Sequence, residues 1–450
     1  MGTIHKTTAL TALGVVAALT LAGCTAGAGA SSSADAAPAF DPDKQYDIVF
    51  ESYNLGNATW EPTILELIER FEAKYPNVSV TAQASGSDST AAGGTAQSVQ
   101  RQVLAGNAPD VVQMTFDTMA YAVSDLQAKP LDELFGTDAI DEHFGGEYPM
   151  HESVRDFGAS GDHVYGIPYV LSTPMFYYNE SALAEIGITD PDFSTWESVA
   201  EVAKQATAAT GTPSLSVSCF DPVGEWCLQS IFRSNDARVL SEDGSTITVA
   251  APEAIDALSG FQQMTADGTL QNADFMAQVE TFAGGSTLMH VNSASMQKSF
   301  EGGASAGGWS LSAVGMPGFA GEEVIPTSSG SALLMFSQDA DKQAAAWELL
   351  KFMTSEVAYE AISPLGYLPL RTGLIEEGAP LAEWAAGNSL LTPNLEQLDR
   401  LEPWVSFPGT NYVQVTTAIM DATEAIVYNG ADAKSTLTEA AERAQGLISK

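Results

Sequence analysis

Apolar and polar positions in the first part of the chain follow the order strand, helix, strand. Residues 46–50 alternate as a strand does, and residues 62–75 repeat apolar positions at helical spacing. The predicted helix buries one face that consists of Ile64, Leu67, Ile68 and Phe71. Residues 78–80 then predict a second strand. A strand, a helix and a strand within about 35 residues form a βαβ unit, which implies parallel strands and a right-handed crossover.

The same periodicities continue along the chain. A helix ending near Gly106 leads into a buried strand over 110–114. The segment 194–197 has the form of a capping box and predicts a helix from about Thr195 to Gly211, where glycine can close the C-terminus. A helix over 341–354 buries Ala346, Leu350 and Met353, and strand-like segments cover 286–291 and 333–336. The chain therefore belongs to the α/β class.

The N-terminal residues have the pattern of a secretory leader. Lys6 precedes an apolar run over 10–19, which is too short to span a bilayer because roughly 17 to 25 apolar residues are needed. Small residues directly before Cys24 resemble the bacterial lipobox, in which the cysteine sulfur is acylated and becomes the new N-terminus. An ordinary signal peptide with an incidental cysteine is the alternative. We expect a signal peptide over 1–23 and a lipid-anchored Cys24 that holds the protein at the membrane.

A tether over 24–44 is expected to follow, because residues 25–38 are nearly all Ala, Gly and Ser and cannot bury enough apolar surface to order themselves. The whole chain of 450 residues is longer than one compact core usually organises, which favours two lobes.

Composition excludes one class of partner. The formal net charge of −39 repels nucleic acid and anionic lipid, and the acidic residues are spread along the chain as a solvated surface. Cys219 and Cys227 remain as a pair in an oxidising compartment, and a disulfide between them is expected. Two free thiols or a metal site are the alternatives, but neither histidine nor further cysteine lies close in sequence. We expect no cofactor and no metal.

An ordered series of segments resembles the extracellular solute-binding proteins of carbohydrate ABC importers, which include maltose-, trehalose- and glycerol-3-phosphate-binding proteins. The segment 165–179 is followed by Gly187 and the helix start at Thr195. The other matching segments, in chain order, are 106–112, 314–318, Ser329-Gly330, 345–352 and 366–369. The similarity extends from Tyr46 to about Asp421.

The resemblance implies a two-lobed periplasmic-binding-protein-like fold, with mixed sheets flanked by helices and a ligand cleft between the lobes. The chain is expected to cross between lobes near 170–173, near 289–292 and in a helix around 351–355. The N-terminal lobe would then comprise 45–170 and 292–350. The C-terminal lobe would comprise 171–291 and 351–450.

A saccharide site needs carboxylates or amides for the hydroxyls and aromatic faces for the C–H groups. Asp117 follows a predicted strand at its carboxyl end, where open α/β sheets bind ligands, and is our main candidate. Trp226 and Trp404 are the candidate aromatic platforms, whereas Trp196 and Trp347 lie at helical spacing and are expected in the core. The remaining candidates are Ser172, Thr173, Asn292, Ser293, Ser329, Gly330, Tyr367, Tyr53 and Asn54.

For several candidates a structural role is the alternative: a surface carboxylate for Asp117, backbone capping for Ser172 and Thr173, and a half-buried structural ring for Tyr367. The chain also departs from the glycerol-3-phosphate binder. Phe116 stands where that protein has a carboxylate, and the segment 407–411 lacks its basic residue. A phosphate ligand favours a cation, so a neutral mono- or oligosaccharide is expected, with glycerol-3-phosphate or a glycerophosphodiester as the alternative.

Two other functional classes, an enzyme and a surface adhesin, remain open. The segment 303–307 satisfies GxSxG, but no strand is predicted before it as a nucleophile elbow requires, so we interpret the match as chance. Paired carboxylates of a glycoside hydrolase can meet only in the fold. A surface adhesin without a small ligand is the third possibility. We expect a non-enzymatic, monomeric receptor on the extracellular face of the cytoplasmic membrane that delivers an extracellular sugar to a permease.

Overall fold

A computed structural model describes residues 36–85 and 94–448. The expected signal peptide, the lipid site at Cys24 and residues 25–35 of the tether lie outside the described residues. No helix in the described part is long and apolar enough to cross a membrane.

The described strands, in chain order, are β1 (Tyr46–Ser52), β2 (Val78–Ala84), β3 (Val111–Thr115), β4 (Ala159–Ser160), β5 (His163–Val164), β6 (Gly166–Ser172), β7 (Pro174–Asn179), β8 (Leu215–Val217), β9 (Met289–Ser293), β10 (Leu311–Gly315) and β11 (Ser329–Met335).

The described α-helices are α1 (Glu61–Lys74), α2 (Gly94–Leu104), α3 (Met119–Ser124), α4 (Leu131–Phe135), α5 (Thr137–Phe144), α6 (Glu180–Glu185), α7 (Trp196–Thr210), α8 (Glu225–Arg233), α9 (Pro252–Ala266), α10 (Phe275–Ala283), α11 (Gln297–Gly307), α12 (Ala340–Met353), α13 (Glu356–Ile362), α14 (Ala382–Ala386), α15 (Leu391–Leu395), α16 (Tyr412–Val427) and α17 (Ala433–Ile448). Short 3₁₀ segments are Phe116–Thr118, Glu152–Gly158, Ala294–Met296, Ser363–Leu365, Thr372–Ile375 and Leu398–Arg400.

The first lobe is built on a five-stranded mixed sheet in the order β2-β1-β3-β11-β6. Strand β1 pairs in parallel with β2 and β3, which confirms the predicted βαβ unit. Strand β11 runs antiparallel to both of its neighbours, β3 and β6. The predicted face of α1 is buried, and the predicted core residues Trp196 and Trp347 are also buried elsewhere in the fold.

The second lobe is built on a four-stranded sheet in the order β10-β7-β9-β8. Strand β7 is antiparallel to β9 and β10, and β8 is parallel to β9. The predicted helix over 195–211 is present as α7, but its cap lies one residue later than predicted. Thr195 and Ser198 form the reciprocal cap, and Gly211 ends the helix at a φ of 76°.

The strand pairing differs from the expected lobe boundaries at two crossings. Strand β10 pairs with β7, so the chain returns to the first sheet between Gly315 and Ser329 and not near 289–292. Helices α12 and α13 pack against β1 and α1 of the first lobe, so the crossing expected around 351–355 is also wrong. The third crossing lies later in the chain. Leu370 still bonds to His151 of the first lobe, whereas α15 packs on β10 of the second lobe, so the chain crosses between these two points. Hydrophobic periodicity identifies these elements but not their sheet partners.

Part of the expected tether is packed against the folded body. The Phe40 ring lies 5.4 Å from that of Tyr46 and 5.2 Å from that of Tyr75, between ring centroids. The Ala37 N–H donates to the Leu134 carbonyl oxygen at 2.9 Å. The boundary at 44 is therefore too late, because one aromatic side chain gives this segment enough apolar surface to pack.

The predicted disulfide is present. Cys219 and Cys227 are bonded, with their Cα atoms 4.9 Å apart. Cys219 follows β8 and Cys227 lies in the first turn of α8, so the crosslink fixes the loop that leads into this helix. A closed loop of this size contributes ~2 kcal/mol by restricting the unfolded chain.

A backbone constraint lies at the start of β11. Gly330 has a φ of 144°, and a Cβ atom there would lie 2.1 Å from the Val170 carbonyl oxygen. The close approach accompanies a register shift between β11 and β6 at Ser331 and Ala332. Only glycine fits this position without moving one of the two strands.

We expect Gly330→Ala to lower the free energy of unfolding by about 2 kcal/mol or more, because the added Cβ collides with backbone at an unfavourable φ. Urea denaturation would measure the loss. Gly302→Ala is the matched control, since Gly302 is exposed within α11 and a Cβ there meets nothing within 4 Å. That variant should gain up to about 1 kcal/mol from helix propensity. Equal stability of the two variants would contradict the constraint.

Candidate functional site

A cleft of about 750 Å³ lies between the two sheets and receives side chains from both lobes. Eleven of the twelve predicted ligand-binding residues line it: Tyr53, Asn54, Asp117, Ser172, Trp226, Asn292, Ser293, Ser329, Gly330, Tyr367 and Trp404. The structure brings these residues together from positions that are far apart in sequence.

Thr173 is the exception. Its buried hydroxyl donates to Asn394 Oδ1 at 2.5 Å and lies 2.9 Å from the donor Gln397 Nε2. Successive side chains of an extended chain point to opposite sides, so Ser172 faces the cleft and Thr173 faces the second-lobe packing. The prediction of Thr173 as a cleft residue is therefore wrong. Ser329 and Gly330 also line the cleft, and they are the first two residues of strand β11.

Asp117 lies in the 3₁₀ segment directly after β3, at the carboxyl end of that strand. Its side chain is 8% exposed, and its Oδ1 atom has no hydrogen-bond partner among the described residues. Burial raises its pKa to about 6, although hydrogen bonds from the Thr115 side chain and from nearby backbone N–H groups partly offset this. The free oxygen is an acceptor that a hydroxyl donor in the cleft could satisfy.

Aromatic and amide side chains of the first lobe surround this carboxylate. Tyr367 packs on Trp60 with ring centroids 4.3 Å apart, and the Tyr53 hydroxyl lies beside Tyr367, Gln113 and Ser331. Burial raises the pKa of Tyr53 to about 12, so this hydroxyl stays protonated and can donate. Asn54 adds a buried Nδ2 atom without a partner among the described residues.

A buried polar network fixes the residues beneath this surface. Ser52 Oγ donates to Gln113 Oε1 at 2.5 Å, and Gln113 Nε2 donates to Ser331 Oγ at 2.9 Å. The three residues lie on β1, β3 and β11, which are neighbouring strands of the first sheet. The network therefore holds the strand ends that carry Tyr53 and Asp117 in a fixed arrangement.

The second lobe contributes a chain of polar groups headed by Asn292. Its Nδ2 donates to Ser218 Oγ at 3.3 Å and lies 3.0 Å from His290 Nε2. His290 Nδ1 lies 2.7 Å from Ser216 Oγ. Burial lowers the pKa of His290 to about 3, so the ring is neutral and accepts through one nitrogen. Ser293 Oγ donates to Ser172 Oγ at 2.8 Å, which links the two sheets at the first crossing.

Trp226 and Trp404 line the second-lobe side of the cleft, and their role as aromatic platforms stays a prediction. Trp226 lies in the first turn of α8, next to Cys227. The Trp404 indole N–H donates to Glu225 Oε2, and Gln229 Nε2 donates to Glu225 Oε1 at 2.7 Å. Burial raises the pKa of Glu225 to about 7. The hydrogen bonds from Gln229 and Trp404 partly offset this rise, and the negative charge of Asp117 makes a smaller raising contribution.

Sequence reasoning missed several cleft residues and the carboxyl group behind Trp404. Trp60, Ser218, Met276 and Thr416 line the cleft, and Glu225 is 2% exposed behind the indole. Glu225 is the first residue of a helix, where an acidic side chain is common because it interacts favourably with the helix dipole. A glutamate at this position therefore does not indicate a functional role. Ser218 directly follows β8, and the strand-end rule that selected Asp117 would have found it.

Charge is scarce among the described cleft residues. Asp117 is the single acidic residue and Lys298 the single basic residue among those that line the cavity. Lys298 Nζ forms an ion pair with Glu301 at 2.9 Å. No group of three or more His, Cys, Asp or Glu side chains in the described ranges could hold a metal ion.

The segment 303–307 lies within α11, so its serine is part of a helix and not a strand-to-helix elbow. The interpretation of GxSxG as chance is confirmed for this motif.

Comparison with known proteins places this architecture in a family. The sequence matches the bacterial extracellular solute-binding proteins over residues 66–388. The chain belongs to this family. A solute-binding protein of this kind has the two-lobed fold that the resemblance implied, and that expectation is confirmed. No curated protein sequence matches the chain.

Solved structures of other solute-binding proteins share the fold. UgpB from Mycobacterium tuberculosis in complex with glycerophosphocholine is 20% identical, with a TM-score of 0.75 and coverage of 90% of this chain and 98% of that one. The GacH receptor of Streptomyces glaucescens, solved unliganded and with acarbose, is 16% identical, with a TM-score of 0.74 and coverage of 90% and 99%. The cyclic alpha-maltosyl-1,6-maltose binding protein from Arthrobacter globiformis is 17% identical, with a TM-score of 0.74 and the same coverage.

The raised pKa of Asp117 predicts a pH-dependent stability effect in the ligand-free solute-binding protein. The folded state binds the Asp117 proton more tightly than the unfolded state, whose pKa is near 3.8, so stability is lost as pH rises from about 4 through about 6. Asp117→Asn removes this loss. We expect it to raise the free energy of unfolding at pH 8 by up to about 3 kcal/mol and to change it little at pH 4.

Urea denaturation at both pH values measures this difference. Asp125→Asn is the control, because Asp125 lies nearby but is exposed and should show no such pH dependence. An Asp117→Asn variant that is destabilised equally at pH 4 and pH 8 would contradict the proposed burial penalty.

Proposed function

We propose that this solute-binding protein captures an extracellular mono- or oligosaccharide in the cleft and delivers it to the permease of an ABC importer. The observation that carries the proposal is the buried Asp117 carboxylate, with one free oxygen, in a cleft that also presents the faces of Trp226, Trp404 and Tyr367. The cavity volume of about 750 Å³ falls within the range of roughly 300–1,000 Å³ that is usual for small-ligand sites.

The chemistry of the cleft suits a polyhydroxylated ligand. Sugar hydroxyls can donate to Asp117 and both donate to and accept from Asn292, Ser293 and Tyr53. The apolar C–H faces of a sugar ring can stack on Trp226 and Trp404. Complexes of the GacH receptor with acarbose, at 16% identity, support this ligand class without identifying the sugar.

A neutral ligand is favoured over a phosphate ester. Lys298 is the single cation among the described cleft residues, and its ion pair with Glu301 partly satisfies its charge. Asp117 would repel a phosphate group nearby. UgpB, which was solved with glycerophosphocholine, has the same fold, so glycerophosphodiesters are the second ligand class to be tested.

Ligand binding should favour a closed form because both lobes contribute contacts. Asp117 and Tyr367 lie on the first lobe, whereas Trp226 and Asn292 lie on the second. A ligand can shift an opening equilibrium only through differential contact with the two states. The closed form would then dock to the permease as a monomer, anchored through acylated Cys24 at the outer face of the membrane.

Asp117→Ala should weaken saccharide binding at least tenfold, because a charge-assisted hydrogen bond worth about 1.4 kcal/mol or more is lost. Calorimetric titration with the best sugar would measure the change. Asp125→Ala is the matched control, since it removes an exposed carboxylate a short distance along the chain and should leave the affinity within about twofold. Unchanged affinity in the Asp117 variant would remove this residue from the site.

A thermal-shift screen that includes mono- and oligosaccharides and glycerophosphodiesters tests the ligand class. We expect stabilisation by at least one neutral saccharide and a smaller effect of the phosphate esters. Chromatography of the best oligosaccharide after incubation with the protein should show no products. Stabilisation by phosphodiesters alone would favour the second class, and cleavage of the oligosaccharide would overturn the assignment as a receptor.

Cys24→Ala tests the anchor. The variant should move from the membrane fraction to the medium of expressing bacteria, because the proposed acylation site is absent and no described helix can span a bilayer. Incorporation of radiolabelled palmitate into the native chain and into the variant is the direct measurement, and equal labelling of the two would exclude lipid anchoring at this residue.

A further inference from the structure

The Trp404 side chain is held from behind by a buried carboxyl group. Its indole N–H donates to Glu225 Oε2, and its backbone N–H donates to Ser328 Oγ at 3.3 Å. The indole therefore has a hydrogen-bond partner on the edge that points away from the cleft. Its position is fixed by a side-chain bond in addition to packing.

Glu225 is in turn fixed by its own helix. Gln229 Nε2 donates to the other carboxyl oxygen of Glu225, and Gln229 also exchanges two hydrogen bonds with the backbone of Val405, at 3.0 and 3.3 Å. The two side chains of α8 thus contact both the indole of Trp404 and the chain next to it. This leaves few orientations open to the ring.

The position of Glu225 is costly for the fold. It is 2% exposed, and within the described ranges no Lys, Arg or His side chain is paired with it. A buried carboxyl group without a cation destabilises a folded protein unless its hydrogen bonds compensate. Both of its oxygens accept hydrogen bonds, and one of these bonds comes from a cleft residue.

We propose that Glu225 is a positioning residue for ligand binding, which orients the Trp404 ring toward the cleft through the indole N–H. The part of this proposal that concerns affinity rests on the proposed function, whereas the part that concerns the ring is independent of any ligand.

Helix α8 would then set the arrangement of both second-lobe platforms. Trp226 belongs to this helix, and its carbonyl oxygen accepts from the Thr327 hydroxyl. Trp404 is joined to the same helix through Glu225. The disulfide at Cys227 and the close packing of Gly224, where a Cβ would lie 2.2 Å from the Ser218 carbonyl oxygen, fix where the helix begins. Helix α8 therefore holds both aromatic rings, one directly and one through Glu225.

The ligand-free test follows the indole N–H of Trp404 by ¹H–¹⁵N NMR, with Trp404→Phe to assign its resonance. At pH 8.5, where Glu225 is ionised, we expect a strongly downfield resonance that exchanges slowly with solvent, because the acceptor is a buried carboxylate. Glu225→Leu should move it upfield and accelerate its exchange. Glu225→Gln, which keeps an acceptor, should move it by a smaller amount. A Trp404 resonance that Glu225→Leu does not move would overturn the proposal even if no sugar binds.

The affinity test is a double-mutant cycle with the sugar identified in the thermal-shift screen. Glu225→Leu should weaken binding by about fivefold or more in the native background and by less than about twofold in the Trp404→Phe background, because phenylalanine has no N–H to hold. Glu225→Gln should stay within about threefold of the native affinity. Equal losses in both backgrounds would show that Glu225 does not act through Trp404.

Folding is checked by the thermal midpoint of each variant. If Glu225→Leu does not fold, the comparison of Glu225→Gln with the native chain decides through the same resonance: an upfield change supports the proposal, and an unmoved resonance overturns it. Absence of binding by every tested saccharide would contradict the proposed function while leaving the NMR result to decide the role of Glu225.

Discussion

Insertion of β11 between β3 and β6 is the constraint on which the rest of the structure depends. The chain builds most of the second lobe before this strand returns to the first sheet, so neither lobe is continuous in sequence. The insertion places Ser331 against Gln113 and Ser329 beside Ser172. It also forces Gly330 against the Val170 carbonyl group. The polar floor of the cleft is therefore a direct product of strand order.

Two acidic side chains lie where burial disfavours their negative charge. Asp117 and Glu225 are buried, and burial raises the pKa of each. The surface of this acidic protein can solvate carboxylates freely, so these two positions differ from the exposed carboxylates that carry most of the negative charge. Asp221 is a third acidic residue whose pKa burial raises, to about 6. Asp117 faces the cleft with an unpaired oxygen, and Glu225 supports an aromatic ring at its edge. Burial of the two carboxyl groups lowers the stability of the folded state, but it provides an arrangement that suits a hydroxyl-rich ligand.

The sequence was sufficient to predict the local helices and strands and many of the residues that line the cleft. Hydrophobic periodicity identified α1 and the parallel pair β1 and β2, because burial of one face determines both patterns. Asp117 could be selected because it directly follows a buried strand, and strand ends meet at one edge of a sheet. Tyr53 and Asn54 were selected in the same way after the first strand, and Trp226 and Trp404 were selected as aromatic side chains. The candidates at the crossings and in β11 came from the order of family-like segments, which is information about topology that periodicity does not contain.

The errors arose where non-local pairing decides the outcome. The lobes of β10 and of α13 depend on which sheet each element reaches, and both were assigned wrongly. Thr173 was assigned to the cleft because it lies with Ser172 on the first crossing, although adjacent side chains of an extended segment point apart. Glu225 was missed because a glutamate that opens a helix is unremarkable in sequence, and only the fold brings Trp404 to it.

The packing of Phe40 has a consequence for how far the receptor can travel from its membrane. Twelve residues of sequence, 25–36, separate the anchor proposed at Cys24 from Ala37, which is bonded to the folded body. Fully extended, they reach about 40 Å, which is comparable to the diameter of one small domain. If Cys24 is acylated as proposed, the packed segment at Ala37 could lie no farther from the bilayer than this length.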